Sequence, residues 1–177
     1  MSDQRNWLER LGDKIPGYSG YVEKEKRRDI DKLHREHLAD RLRATKRPVS
    51  DFVRELSSSG RLFEVGPLER VSKKIDQIEN RVRFASYGYA GFFDVVKIQE
   101  AELDRLYSFD LALVEKVEEL ERQAQSLGER GATAEGLKAA AAEVERAADD
   151  LNRTFDERYR AIESFRPDGN PGKPMFS

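Results

Sequence analysis

From Leu68 onward, apolar residues recur at alternating three- and four-residue spacing: Val71, Ile75, Ile78, Val82, Ala85, Tyr89, Phe92, Val96, then Leu103, Leu106, Leu113, Val117, Leu120, Ala124 and Leu127. That is the heptad pattern of a helix burying one narrow seam. A second stripe follows after one short loop: Leu137, Ala141, Val144, Ala148, Leu151, Phe155, Ile162 and Phe165. The two stripes predict an all-α chain built on a long antiparallel helical hairpin. Its coiled-coil-like seam pairs residues 68–127 with residues 133–166. A turn near Arg130 would set Val117 against Val144 and leave residues 68–94 without cover from the returning helix. Soluble monomers avoid an apolar strip of that length in water, so a second helix or a second copy of the chain is expected there.

The N-terminal third is less regular. Residues 1–15 read as a short amphipathic helix with Trp7, Leu8, Leu11 and Ile15 on one side. Pro16-Gly17-Tyr18-Ser19-Gly20-Tyr21 reads as a turn. A strongly charged helix follows from Val22 to about Lys46, then a break at Pro48 and a short third helix with Phe52, Val53 and Leu56. Gly60 supplies its left-handed cap. Residues 61–65 alternate weakly, as in an extended segment, and Pro67 suits the first turn of the long helix. The organisation is therefore an amphipathic helix (1–15), a turn with a charged and a short helix (16–66), the hairpin (67–166) and a disordered tail (167–177) that is rich in proline and glycine.

Three seam positions break the pattern. Gln99, Asp110 and Arg158 stand where the stripes want apolar residues. A buried polar residue in a seam fixes register at some cost in stability. On that basis Asp110→Leu is expected to raise thermal stability. Gly88 and Gly91 also fall within the long stripe, where each costs about 1 kcal/mol relative to alanine. The heptad phase is the same on both sides of them, which favours one continuous helix, bent where the glycines let another backbone approach.

Charge is balanced overall but unevenly placed. Residues 1–47 carry 13 Lys/Arg against 9 Asp/Glu, and residues 94–166 carry 11 against 18. Such asymmetry suggests pairing of a basic helix with an acidic one. The chain has no cysteine, which removes disulfides, thiol catalysis and thiolate metal sites. No run is long and apolar enough to span a membrane, and no secretory leader is visible, so a cytoplasmic location is expected.

Candidate chemistry is sparse. The only histidines, His34 and His37, form an Asp31-x-x-His34-x-x-His37-x-x-Asp40 row. Successive three-residue steps rotate around the helix, so four ligands cannot converge on one ion, and no metal or other cofactor is expected. Lys24, Lys26, Arg27, Arg28, Lys32, Arg35, Arg41, Arg43, Lys46 and Arg47 could contact a polyanion, but acids are interleaved among them and nucleic acid is a weak expectation. No phosphate loop, nucleophile elbow or acid–base set is present, so neither an enzyme nor a small-molecule substrate is expected. Tyr87, Gly88, Tyr89, Gly91, Phe92 and Phe93 form the candidate interface, because aromatics anchor protein contacts. A non-enzymatic scaffold or adaptor, binding a protein partner or itself, is the leading expectation. The alternative is a peripheral protein touching anionic membrane through Trp7, Leu8, Leu11 and Ile15. In layout, a short amphipathic helix ahead of a long hairpin, the chain resembles phage-shock-type membrane-remodelling proteins, which implies that second role.

Overall fold

The computed structural model describes residues 2–85 and 99–165. Among these residues the chain is all-helical, with no strand. Its helices are α1 (Ser2–Lys14), α2 (Arg27–Ser58), α3 (Gly66–Phe84), α4 (Glu100–Gln125), the single turn α5 (Leu127–Arg130) and α6 (Ala134–Ser164). Short 3-10 turns cover Lys24–Lys26 and Leu62–Glu64. Among the described residues no helix is long and apolar enough to cross a membrane.

Side-chain pairs give the directions of the four long helices. Lys46 pairs with Asp76, and Arg83 with Asp40 at 2.8 Å, so α3 runs antiparallel to α2. Lys116 pairs with Asp150, and Arg158 with Asp110 at 2.6 Å, so α6 runs antiparallel to α4. Across the bundle, Arg70 meets Glu145 and Lys74 meets Asp149, which makes α3 parallel to α6. His34 lies against Asp110 and Arg41 meets Glu118, which makes α2 parallel to α4. It follows that α3 and α4 run in opposite directions.

The single 68–127 helix is therefore overturned. Both of its halves carry a heptad stripe, but each stripe faces a four-helix core rather than one shared partner. The stripe of α3 (Leu68, Val71, Ile75, Ile78, Val82) is buried between α2 and α6. This is the cover that the length of the apolar strip demanded, and it comes from the same chain. The register of the return also differs from a tight turn at Arg130, because Lys116 rather than a more N-terminal residue faces Asp150. The turn is lengthened by α5, and Thr133 restarts the chain as N-cap of α6 by accepting a bond from the Gly136 N–H at 3.1 Å. Gly88 and Gly91 lie outside the described residues, as does the 167–177 tail.

Two local expectations change in the N-terminal half. Pro48 does not end a helix: α2 continues through it to Ser58 and absorbs the separate third helix. The missing N–H and the ring's crowding of the preceding turn are outweighed by burial of Leu42, Val49, Phe52 and Leu56 along one continuous face. The 61–65 segment is a 3-10 turn instead of an extended one. Gly60 does cap α2 in the left-handed region, with φ at 78° and the Arg61 N–H bonded to the Leu56 carbonyl at 2.9 Å.

Because Pro48 is half-buried within an unbroken helix, alanine there restores an N–H bond to the Ala44 carbonyl with little loss of packing. Pro48→Ala is expected to raise stability by about 1–3 kcal/mol, read as a higher denaturant midpoint at unchanged slope.

Candidate functional site

The most distinctive chemistry in the fold is a knot of charged and aromatic side chains inside the bundle. Asp110 of α4 and Arg158 of α6 are both 0% exposed and form the centre, with Arg158 Nε donating to Asp110 Oδ1 at 2.6 Å. Arg158 Nη2 donates to Asp31 Oδ1 of α2 at 2.9 Å and to the Tyr21 hydroxyl at 3.1 Å. Asp31 in turn accepts from Arg35 Nε at 2.8 Å, and Arg35 Nη1 reaches the Arg83 carbonyl of α3. All four long helices thus share one connected set of bonds.

The remaining members come from the segment that returns from α1 to α2. Tyr18 and Tyr21 both donate to Asp110 Oδ2, at 2.8 and 2.7 Å. The Tyr21 backbone N–H donates to the Tyr107 hydroxyl, and the two rings stack with centroids 5.7 Å apart. Arg27 Nε donates to the Tyr21 carbonyl. Gly20 makes this close approach possible. Its φ is +79°, and a Cβ there would lie 2.4 Å from Leu8 Cδ2 and 2.8 Å from the Tyr107 oxygen.

The knot buries two carboxylates, Asp31 and Asp110, with three guanidinium groups, Arg27, Arg35 and Arg158. Burial alone would push the Asp110 carboxyl up, but Arg158, then His34 and the Tyr21 hydroxyl, hold it below the ordinary 3.8. Tyr18 and Tyr21 are pushed well above 10.0, first by burial and then by the Asp110 charge, so both remain donors. His34, also 0% exposed, is lowered below 6.5 by burial, with Asp110 opposing, and is neutral at pH 7. Its Nε2 lies 3.1 Å from the Asp110 carbonyl, an acceptor, so Nε2 carries the proton. Nδ1 then faces Asp110 Oδ1 at 3.6 Å, beyond hydrogen-bond reach.

The sequence candidates distribute unevenly over this arrangement. Asp110 and Arg158, singled out as misfits in two different stripes, are partners. Gln99 is exposed and caps α4, its N–H bonded to Glu102 in a capping box. The Asp31–Asp40 row splits: Asp31 and His34 point into the knot, while His37 is only half-buried and Asp40 meets Arg83 on the surface. Among the described residues no set of three or more His, Asp or Glu side chains could hold a metal ion. In the basic row, Arg27 and Arg35 are buried, and Lys26, Lys32, Arg41, Lys46 and Arg47 pair with carboxylates, so the row is not one cationic face. Of the membrane candidates, Leu11 and Ile15 are fully buried, with α1 lying against α4, and Trp7 and Leu8 are half-buried against the core. The six candidate-interface residues from Tyr87 to Phe93 lie outside the described residues.

Tyr18, Tyr21 and Tyr107 were not legible as site residues. Tyr18 and Tyr21 sit in a turn-like run without periodicity, and Tyr107 stands beside the α4 stripe rather than on it. Most of the knot's polar groups bond one another within the core, His34 Nδ1 excepted. Among the described residues two shallow grooves lie on the surface, one along α3 and α6 lined by Lys74, Arg81, Asp149 and Asn152, the other between α4 and α6 at Arg105 and Phe109. No known protein family, characterised protein or solved structure matches the chain.

The bonds reverse one expectation. Asp110→Leu would strand the Arg158 charge and two tyrosine hydroxyls in the core, so it is expected to cost about 3–5 kcal/mol instead of stabilising. The double change Asp110→Leu with Arg158→Met should cost much less than the sum of the two single changes. A double-mutant cycle by chemical denaturation is expected to give a coupling above about 1 kcal/mol, and additive losses would mean the pair is not bonded. Because the folded Asp110 carboxyl lies below 3.8, its contribution is fully present above that pH and is lost as pH falls further.

Proposed function

We propose that the protein is a non-enzymatic helical scaffold or adaptor of the cytosol, acting through protein–protein contacts. The observation that carries this reading is where unspent binding surface remains. Buried charges bond one another, and many surface charges pair between helices. Large apolar side chains nonetheless stand in solvent: Phe63 is 102% exposed and Leu62 61% exposed at the tip of the α2–α3 hairpin, Phe84 is 62% exposed at the end of α3, and Val22 is 60% exposed.

The tip is also braced. Arg61 forks onto both Glu64 oxygens and donates to the Gly131 carbonyl at 3.0 Å, while Val65 is buried beneath. A partner that receives Phe63 orders little that is not already ordered, which is the physical basis of an efficient anchor. Tyr87, Gly88, Tyr89, Gly91, Phe92 and Phe93, the interface candidates read from the sequence, follow Phe84 in the chain and belong to the same proposal.

Burying a phenylalanine side chain contributes about 2 kcal/mol, or roughly thirtyfold in Kd. Leu62→Ser with Phe63→Ser, and separately Phe84→Ser, should leave helicity and melting temperature unchanged. One of the two sets is expected to weaken by at least tenfold either self-association, read by sedimentation velocity, or capture of a partner co-purified with the full chain. Unchanged assembly in both sets would refute the reading.

A further inference from the structure

The N-terminal arm, residues 2–22, covers the charged knot. Leu11 and Ile15 fix α1 to α4, and exposed or half-exposed ion pairs, Arg10–Glu115 and Lys14–Glu118, flank them. The chain then turns back at Pro16 and Gly17 and inserts Tyr18 and Tyr21 against Asp110. The Tyr18 ring stands edge-on to His34, with centroids 6.4 Å apart. The arm therefore closes the slot in which His34 sits.

We propose that residues 2–22 form an acid-released latch, shut while His34 is neutral and opened when it takes up a proton. The geometry makes His34 the odd member of the knot. It faces Asp31 of its own helix, Asp110 of α4, Arg158 of α6 and Tyr18 of the arm. Three guanidinium groups, Arg27, Arg35 and Arg158, already outnumber the two carboxylates, and both Asp110 oxygens already accept bonds. A proton on Nδ1 would lie toward Asp110 Oδ1, 3.6 Å away, but burial of the charge and the neighbouring Arg158 guanidinium outweigh that attraction. Opening the arm removes both tyrosines, admits water and lets His34 ionise as an ordinary imidazole.

Linkage then fixes the sign. The open state binds one more proton than the closed state below the ordinary histidine value. The opening equilibrium rises by up to about tenfold for each unit of pH lost, until the closed form itself can protonate. The arm yields before the bundle because it is the peripheral element. α1 packs on α4, whereas each long helix is wedged between two others. Glu118 does not interfere, since its bonds to Lys14 and Arg41 outweigh the upward push of burial and hold it below 4.5. The latch stands apart from the adaptor reading, which concerns the other exposed surfaces.

The chain supplies its own reporters: one tryptophan, Trp7, within α1, and only two histidines. Titrating the full chain from about pH 7.5 to about 4.5 should increase acrylamide quenching of Trp7 severalfold, while far-UV helicity falls by no more than the share of α1. The midpoint should coincide with the titration of the His34 ring protons in NMR spectra, assigned by the loss of the other resonance in His37→Gln. His34→Gln, which keeps a donor for the Asp110 carbonyl, should abolish the transition, and His37→Gln should retain it. No change in Trp7, a change that coincides with loss of the whole helical signal, or a transition that persists in His34→Gln would each overturn the latch. Should His34→Gln fail to fold, the unmodified chain still decides. A Trp7 midpoint that follows His37, or neither histidine, overturns the proposal.

Discussion

Asp110 and Arg158 are the point on which the bundle is registered. Each is fully buried, and an uncompensated charge at either position would cost several kcal/mol. Their bond is available only when α4 and α6 lie antiparallel with these two positions level. Asp31 extends the requirement to α2, Arg35 to α3 through the Arg83 carbonyl, and Tyr18 and Tyr21 to the arm. Aliphatic layers such as Leu113, Val117 and Val144 tolerate a slip of one heptad at modest expense, because one leucine layer resembles the next. The charged layer does not tolerate it. A slipped α6 would bury a guanidinium among aliphatic side chains and leave Asp110 without a cation, while Asp31 kept only Arg35. We infer that the knot contributes more to the uniqueness of the fold than to its net stability, since well-packed apolar residues of similar volume often stabilise as much.

The outer charges serve a different end. The cations of α1, α2 and α3 meet the anions of α4 and α6 at Arg10–Glu115, Lys14–Glu118, Arg41–Glu121, Lys74–Asp149 and Arg81–Asp156. Each partly exposed pair contributes little by itself. Their consistent sign, though, makes the parallel contacts of α2 with α4 and of α3 with α6 favourable, and places like charges together in a rearranged bundle. Part of the charge difference between the two chain halves is thus met within the molecule, through Arg10, Lys14 and Arg41.

The helical class and the buried faces were legible in the sequence, because each stripe is written in residues that the core then buries. The same stripes concealed the topology. A heptad run specifies that a helix has one apolar side and carries no information about how many neighbours share it. The common phase of the 68–85 and 103–127 stripes looked like continuity, yet α3 and α4 are antiparallel, so the agreement of phase is incidental. Pro48 misled for a related reason: its local penalty is readable, whereas the apolar face that spans it is a property of the assembled core. Asp110 and Arg158 were visible as misfits in separate stripes. Their partnership was not, because it depends on a register displaced from that of a tight turn. Tyr18 and Tyr21 lacked even that signal, since an irregular segment gives no period against which an inward residue stands out.

The compact bundle prevails over an extended hairpin for a reason that both layers of interaction share. In a hairpin of two long helices, the α3 stripe would meet one neighbour at most, and Ile75 and Ile78 would keep part of their surface in water. Folding α3 back places the stripe between α2 and α6, where Leu68 and Ile75 are completely buried. At about 25 cal/mol per Å² of apolar surface, closing a second side of a five-residue stripe contributes on the order of several kcal/mol, a large fraction of the net stability of a domain. Apolar area therefore selects the four-helix arrangement over the hairpin. It is silent on which of several four-helix registers is adopted, and that choice falls to the one layer whose members cannot be exchanged, Asp31, Asp110 and Arg158.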